Sequence, residues 1–167
     1  AGPEIGVAST KAFTTQLLVL ALLCLDICKK NKNKIKNNYK IFLKSLFSLP
    51  NNINNVLNEK NKIKKLIPLL SKSKSIFYIG RGTMYPLALE GALKLKEITY
   101  KHCEGYAAGE LKHGPLALIE KNIPVIALAP YDNHFHKVIS NVEEIKARDA
   151  EIIILTDKIG AKKLNKK

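Results

Sequence analysis

The sequence predicts an α/β fold built on a parallel β-sheet. Three short apolar segments, at residues 75–79, 123–129 and 151–155, are separated by segments with helical patterns. Strands that alternate with helical segments of this length are typical of βαβ units, whose strands run parallel. The hydrophobic fraction of 46% also fits a globular chain rather than a disordered one.

The N-terminal third is predicted to be helical. An apolar helix is expected from Thr10 to about residue 29, with Ser9 or Thr10 as its cap. Its most apolar run, residues 17–28, is too short to span a bilayer and contains Asp26, which favours a core helix. Residues 30–65 are rich in Lys and Asn, and we predict helices there, joined by a turn at Pro50.

The remaining elements follow in order. Residues 75–79 are rich in β-branched and aromatic side chains and predict a strand, which a glycine turn at residues 80–82 follows. A helix is expected at about residues 85–100, with Pro86 in its first turn. Residues 104–115 are predicted as a glycine-punctuated loop. A strand at 123–129, a helix at 133–148 and a strand at 151–155 complete the prediction.

The charge of the chain does not predict a nucleic-acid-binding protein. The formal net charge is +14, but only Arg81 and Arg148 are arginines. Proteins that read base edges or clamp phosphates rely on arginine forks, and no nucleic-acid-binding motif is visible. The lysines cluster instead in Lys/Asn-rich segments, which are typical of solvated positions with biased composition. We therefore expect neither a nucleic-acid nor a membrane partner.

The three cysteines predict no disulfide framework. Cys24 and Cys28 lie four residues apart on one helix face, and Cys103 is distant in sequence. A zinc site would need further ligands near the pair, and the sequence offers none. We expect buried, reduced thiols, which fits a cytoplasmic protein, and no metal at these cysteines.

The helix at residues 87–98 carries charges on an otherwise apolar surface. Its apolar circumference predicts burial, yet Glu90, Lys94 and Glu97 follow the i, i+4, i+7 spacing of one narrow stripe. We call these three residues the charged stripe. Spacing alone leaves two interpretations open: a salt-bridged face in solvent, or a pocket wall whose groups transfer protons.

Two further segments are candidates for chemistry. His113 lies between a lysine and a Gly-Pro turn, where rigid backbone can place an imidazole that titrates near neutrality. A surface-loop histidine is the alternative, and we assign His102, His134 and His136 to that kind. The turn at residues 80–82 can cradle a phosphate on its N–H groups, although a tight strand-to-helix turn explains its glycines equally well.

Three long motifs resemble signatures of the glucosamine-6-phosphate synthases, the glutamine–fructose-6-phosphate aminotransferases. They lie at residues 1–16, 87–98 and 107–118, in the family's order. The resemblance implies a flavodoxin-like SIS (sugar isomerase) sandwich with a parallel sheet, preceded by helices of a first SIS subdomain. It implies a tail of the first subdomain at 1–36, a helical connection at 37–68 and the second subdomain, C-terminally incomplete, at 69–167.

The resemblance also implies a chemistry. In this family ammonia adds to C2 of fructose 6-phosphate, and a proton then moves from C1 to C2. Glu97 matches the base that moves it, and Lys94 and Glu90 match residues of the same site. His113 matches the histidine that opens the sugar ring and reaches across from a neighbouring subunit, which implies a homodimer.

The resemblance also implies two sugar-contacting residues and shows which parts of the family this sequence lacks. Val7 and Ser9 match sugar-contacting positions. The glutaminase domain, the phosphate-binding loop and the C-terminal lysine of the family have no counterpart in this sequence, so we expect the chain alone to be inactive. Two alternatives stay open: a SIS sugar-phosphate deglycase or isomerase, and a non-catalytic SIS sugar-phosphate sensor of a transcription regulator.

Overall fold

The computed structural model describes residues 2–30 and 36–165 of the chain. Residue 1, residues 31–35 and residues 166–167, which include part of the Lys/Asn-rich stretch, lie outside the described residues. The chain divides into two compact units, Ala1–Ile67 and Pro68–Lys167. We describe each unit by itself.

Helices dominate the part of the chain that precedes the first strand. They are α1 (Lys11–Lys30), α2 (Lys36–Asn58), α3 (Lys60–Lys64) and α4 (Ile67–Lys72). The Glu4 carboxylate accepts a 2.8 Å hydrogen bond from the Thr10 backbone N–H at the start of α1. The predicted turn at Pro50 is wrong, because α2 continues through this residue. A proline removes only one N–H donor, and the rest of the α2 ladder persists.

Helix α1 lies where the sequence predicts it but is more exposed than expected. It spans 20 residues with a mean hydropathy of 1.7, so its length and composition meet the minimum for crossing a bilayer. Core helices of globular proteins meet the same test, which makes it weak evidence. The predicted run at residues 17–28 is too short to span a bilayer, but the whole helix that contains it is long enough. It is also not a buried core helix within this structure, where only 6% of that window is buried.

The second unit contains a four-stranded parallel sheet. Its strands are β1 (Ser75–Gly80), β2 (His102–Ala107), β3 (Pro124–Leu128) and β4 (Glu151–Leu155), in the order β2-β1-β3-β4. Its helices are α5 (Met84–Thr99), α6 (Phe135–Lys146) and α7 (Lys158–Leu164), with 3₁₀ helices at Ala108–His113 and Pro115–Leu118. The β1–β2 register pairs Ser75 with His102 and Gly80 with Ala107. The predicted α/β class with a parallel sheet is confirmed.

Two apolar clusters lie on opposite faces of this sheet. Alternate residues of a strand point to opposite faces, so Ile76 and Phe77 enter different clusters. The larger cluster joins β1 and β3 to the inner face of α6 and to the first 3₁₀ helix. The smaller cluster joins β1 and β2 to α5 through Ala92 and Cys103. The sheet therefore has a helix packed on each face.

Strand β2 and helix α7 were not predicted. Residues 104–107, assigned to a loop, belong to edge strand β2, because pairing with β1 gives their backbone groups hydrogen-bond partners despite a polar sequence. Their segment lacks the apolar alternation that identifies a strand. Helix α7 follows β4, and the carboxylate of Asp157, the residue before its first turn, caps it.

The Asp157 cap gives a testable stability prediction. Its Oδ1 accepts hydrogen bonds from the N–H groups of Ile159 at 2.8 Å and Gly160 at 2.9 Å, and Oδ2 accepts from Tyr131 N–H at 2.6 Å. These bonds, that of Gly160 first, lower the pKa of Asp157. Asp157→Ala should reduce the free energy of unfolding by about 0.5–2 kcal/mol, measured by urea titration.

The same cap predicts a pH dependence. A lowered pKa stabilises the fold above the ordinary value of 3.8, and this stabilisation is lost as the pH falls through the folded-state pKa. The difference in unfolding free energy between wild type and Asp157→Ala should therefore be constant near neutrality and shrink in acid. Asp157→Asn is the matched control, because an asparagine still caps but does not titrate. A difference that stays constant down to strongly acidic pH would contradict this account.

Candidate functional site

The charged stripe forms a continuous ion-paired row on α5. Lys94 Nζ lies 2.6 Å from Glu97 Oε2 and 3.7 Å from Glu90 Oε1. The side chains of Glu90, Lys94 and Glu97 keep 23%, 20% and 29% of their surface exposed, so all three are partly withdrawn from water. The structure thus brings together three of the predicted site residues.

Close packing of α5 on the sheet fixes the direction of the stripe. Ala88 and Ala92 are buried against the strands, and the stripe lies on the opposite side of the helix. A Cβ on Gly105 would lie 2.8 Å from the Leu89 backbone, and one on Gly91 would lie 2.9 Å from the Tyr78 ring. Because both positions are glycine, α5 can lie directly on β1 and β2.

The prediction that α5 is buried around its circumference is wrong for this chain. Apolar residues that flank the stripe remain exposed: Leu87, Leu89, Leu93 and Ile98. Beside them, a groove of about 390 Å³ runs between α5 and β2, and its lining includes Lys96 and Glu104 but no residue of the stripe. Apolar residues do surround most of α5, but within the described residues of this unit only the side that faces the sheet packs against other elements.

The hydrogen bonds and charges within the stripe affect Lys94 and Glu97 differently. The hydrogen bond to Glu97, opposed by desolvation and assisted by both carboxylates, raises the pKa of Lys94. Lys94 therefore stays an ammonium at neutral pH and can donate hydrogen bonds but cannot act as a base. Its contact occupies Oε2 of Glu97, and Oε1 accepts no hydrogen bond within the described part of the chain. Glu97 therefore keeps one carboxylate oxygen that can accept a further hydrogen bond.

His113 lies in a separate, exposed position of the second unit. It ends the 3₁₀ helix Ala108–His113, here called the His113 helix, which directly follows β2. Its Nδ1 lies 2.7 Å from Glu110 Oε2, and the two side chains keep 73% and 68% of their surface exposed. Among the described residues His113 makes no ion pair with the charged stripe. Sequence reasoning missed Glu110, although its i, i+3 spacing from His113 was visible.

Val7 and Ser9 belong to the first unit. Val7 is almost fully exposed, and the Ser9 hydroxyl donates a 3.2 Å hydrogen bond to Glu4 Oε2. Both residues therefore lie in the short segment before α1, which the Glu4 carboxylate links to the start of that helix. Their part in a sugar site stays a prediction.

The other candidates from the sequence analysis are the cysteines, the histidines near Asp132 and the glycine turn after β1. Cys103 is buried but Cys24 is exposed, so the expectation of buried thiols fails for Cys24, which lies on the open face of α1. Within the described residues no three metal-ligating side chains cluster, and His134 and His136 make no such group with Asp132. The turn after β1 packs tightly, since a Cβ on Gly80 would lie 2.3 Å from the Met84 carbonyl oxygen.

Comparisons of sequence place the chain among known proteins. Residues 69–162 match the SIS domain family. The chain is 54% identical over 161 residues to the glutamine–fructose-6-phosphate aminotransferase (isomerizing) of Bartonella henselae, covering 96% of this chain and 26% of the relative. The enzyme of the same name from Rhizobium meliloti is 54% identical over 162 residues, covering 96% and 27%. The chain thus spans about a quarter of the length of these curated relatives.

Comparisons of structure agree with the sequence. The C-terminal domain of glucosamine-fructose-6-phosphate aminotransferase from Francisella tularensis superposes with a TM-score of 0.93 at 42% identity, covering 97% of this chain and 46% of that one. A glucosamine-6-phosphate deaminase from Thermotoga maritima, at 21% identity and a TM-score of 0.69, shares the fold. The predicted resemblance is therefore confirmed.

Proposed function

Because this chain belongs to the SIS domain family, we propose that it is isomerase machinery of a glutamine–fructose-6-phosphate aminotransferase. The whole protein would convert fructose 6-phosphate and glutamine to glucosamine 6-phosphate. The observation that carries this proposal is the ion-paired stripe on α5, which lies inside the segment that is 54% identical to the named relatives. The partial withdrawal of all three charged groups from water favours a pocket wall over a salt-bridged face in solvent.

The proposed chemistry is a proton transfer between neighbouring carbons. Ammonia adds to the C2 carbonyl of the open-chain sugar and water leaves, which forms an imine at C2. Glu97 then takes a proton from C1 and returns it to C2, while the C1 hydroxyl proton moves to the nitrogen as C1 becomes the aldehyde. Lys94 holds Oε2 of Glu97, which leaves Oε1 free to take the proton. Glu90 would pass protons to the sugar hydroxyls, and Lys94 would donate hydrogen bonds to them. None of these steps requires a metal or an organic cofactor.

We assign ring opening to His113, acting in the site of a second subunit. Its imidazole is exposed and contacts Glu110 rather than the charged stripe, which supports a role outside its own α5 surface. The whole protein is then a homodimer. Exposed apolar residues beside the stripe, such as Leu89 and Leu93, are consistent with a surface that the complete protein covers.

Domain organisation and location belong to the same proposal. Residues 1–36 would complete a first SIS subdomain that contributes Val7 and Ser9 to the sugar site, and residues 37–68 would connect it to the second. The exposed face of α1 would then be covered by the first subdomain rather than by lipid. We place the whole protein in the cytoplasm, with no nucleic-acid partner.

The test uses a chimera, in which this chain replaces the aligned segment of the Bartonella henselae enzyme. It should form glucosamine 6-phosphate from fructose 6-phosphate when glutamine is supplied, measured by product analysis. A chimera with the Rhizobium meliloti segment controls for the junctions. The proposed function fails if that control is active but the chimera with this chain binds sugar phosphate without turning it over. This result would favour the sensor alternative. Glutamine-independent release of ammonia from glucosamine 6-phosphate would favour the deglycase alternative.

A further inference from the structure

The His113 helix has three distinct faces. Residues three apart lie above one another on a 3₁₀ helix, because one turn contains three residues. Ala108 and Leu111 form one face and are fully buried in the larger apolar cluster. Glu110 and His113 form a second face, which is exposed. The third face, Gly109 with Lys112, is turned to neighbouring polar side chains.

That third face is tied to α6 and to the turn after β1. Lys112 Nζ lies 3.0 Å from Glu144 Oε1 on α6. A Cβ on Gly109 would lie 2.9 Å from Arg81 Nη2, so the guanidinium packs directly on the Gly109 backbone. The Nε–H of Arg81 in turn donates a 3.2 Å hydrogen bond to the buried Asn141 on α6. Two of the three faces are therefore fixed, and the backbone under Glu110 and His113 has little freedom.

On this fixed backbone the Glu110–His113 contact determines which ring nitrogen of His113 carries the hydrogen. A carboxylate accepts hydrogen bonds, so the 2.7 Å contact between His113 Nδ1 and Glu110 Oε2 requires a hydrogen on Nδ1. The bond made by one ring nitrogen decides which state the other nitrogen takes. In the neutral imidazole Nε2 then carries the free lone pair, on a side chain that is 73% exposed.

We propose that Glu110 is a positioning residue, which holds His113 in the Nδ1–H form and presents Nε2 to the sugar. The proposal rests on the ring-opening role assigned to His113 above. Nε2 accepts the proton of the anomeric hydroxyl, the bond from the anomeric carbon to the ring oxygen breaks as the carbonyl forms, and the proton passes from Nε2 to the ring oxygen. With the hydrogen on Nε2 instead, this first transfer is blocked.

The direct test is the tautomer of His113 in the 167-residue chain, measured by long-range ¹H–¹⁵N NMR at a pH where imidazoles are neutral. The His113 signals are assigned by their loss in His113→Gln. Wild type should show the Nδ1–H form, and Glu110→Ala should move His113 toward the Nε2-protonated mixture of His136, a histidine without an ion pair among the described residues. Glu120→Ala, which removes an equal charge from an exposed position nearby, is the control.

Kinetics of the chimera separate this proposal from the proposed function. Glu110→Ala should lower kcat for fructose 6-phosphate about 10- to 100-fold, part of what general acid–base catalysis contributes, with little change in KM. The positioning role is overturned if His113 of the wild type carries its hydrogen on Nε2. It is also overturned if Glu110→Ala leaves the tautomer of His113 unchanged. An unchanged kcat in Glu110→Ala overturns it as well. An inactive unmodified chimera overturns instead the function on which it rests.

Discussion

Glu97→Gln in the chimera is expected to lower the rate of glucosamine 6-phosphate formation about 10²–10⁴-fold, the usual contribution of a positioned general base. Glutamine keeps the shape of the side chain and a hydrogen-bond acceptor for Lys94, but its amide cannot take the proton from C1. The rate should be measured with saturating fructose 6-phosphate and glutamine. Binding of fructose 6-phosphate, measured by calorimetry, should stay close to that of the unmodified chimera.

The matched control for this prediction is Glu143→Gln. Glu143 is an exposed carboxylate on α6 and belongs to neither the stripe nor the His113 helix, so its amide variant should retain full activity. A Glu97→Gln chimera that loses sugar binding but turns over its bound substrate at the normal rate would assign Glu97 to substrate recognition. A rate equal to that of the control would remove Glu97 from the mechanism.

Gly80→Ala is expected to be the most damaging single-methyl change in the second unit. The new Cβ would lie 2.3 Å from the Met84 carbonyl oxygen and 2.5 Å from its carbon. Both atoms belong to the first turn of α5, which is fixed by a 3.0 Å hydrogen bond from Met84 N–H to the Arg81 carbonyl. Backbone cannot rotate away as a side chain can, so α5 must shift off the end of β1.

We expect Gly80→Ala to cost about 3 kcal/mol, the upper end of the usual overpacking penalty. For a unit of about 100 residues this lowers the melting temperature by roughly 10–20 °C, measured by far-UV circular dichroism. Gly6→Ala is the control, because nothing lies within 4 Å of its Cβ position. Melting curves that coincide for the two variants would show that the turn accommodates the methyl group and that the glycine has another purpose.

Local pattern was sufficient where the chain's own neighbours decide the structure. The strand at β1 follows from its β-branched and aromatic residues, and the common face of Glu90, Lys94 and Glu97 follows from the period of a helix. The same reasoning failed at β2, whose sequence has no apolar alternation and becomes a strand only because β1 offers it a parallel partner. It also failed at Pro50, where the rest of α2 outweighs one missing hydrogen bond.

The sequence by itself determined the α/β class, the charged stripe and the family, since each depends on residue types at fixed spacing along the chain. The tertiary structure alone decided that α5 covers the sheet with one side and leaves the other open. It alone also fixed the backbone on which Glu110 meets His113, through Lys112 and Arg81. These features depend on contacts between segments distant in sequence, and no local pattern specifies such contacts.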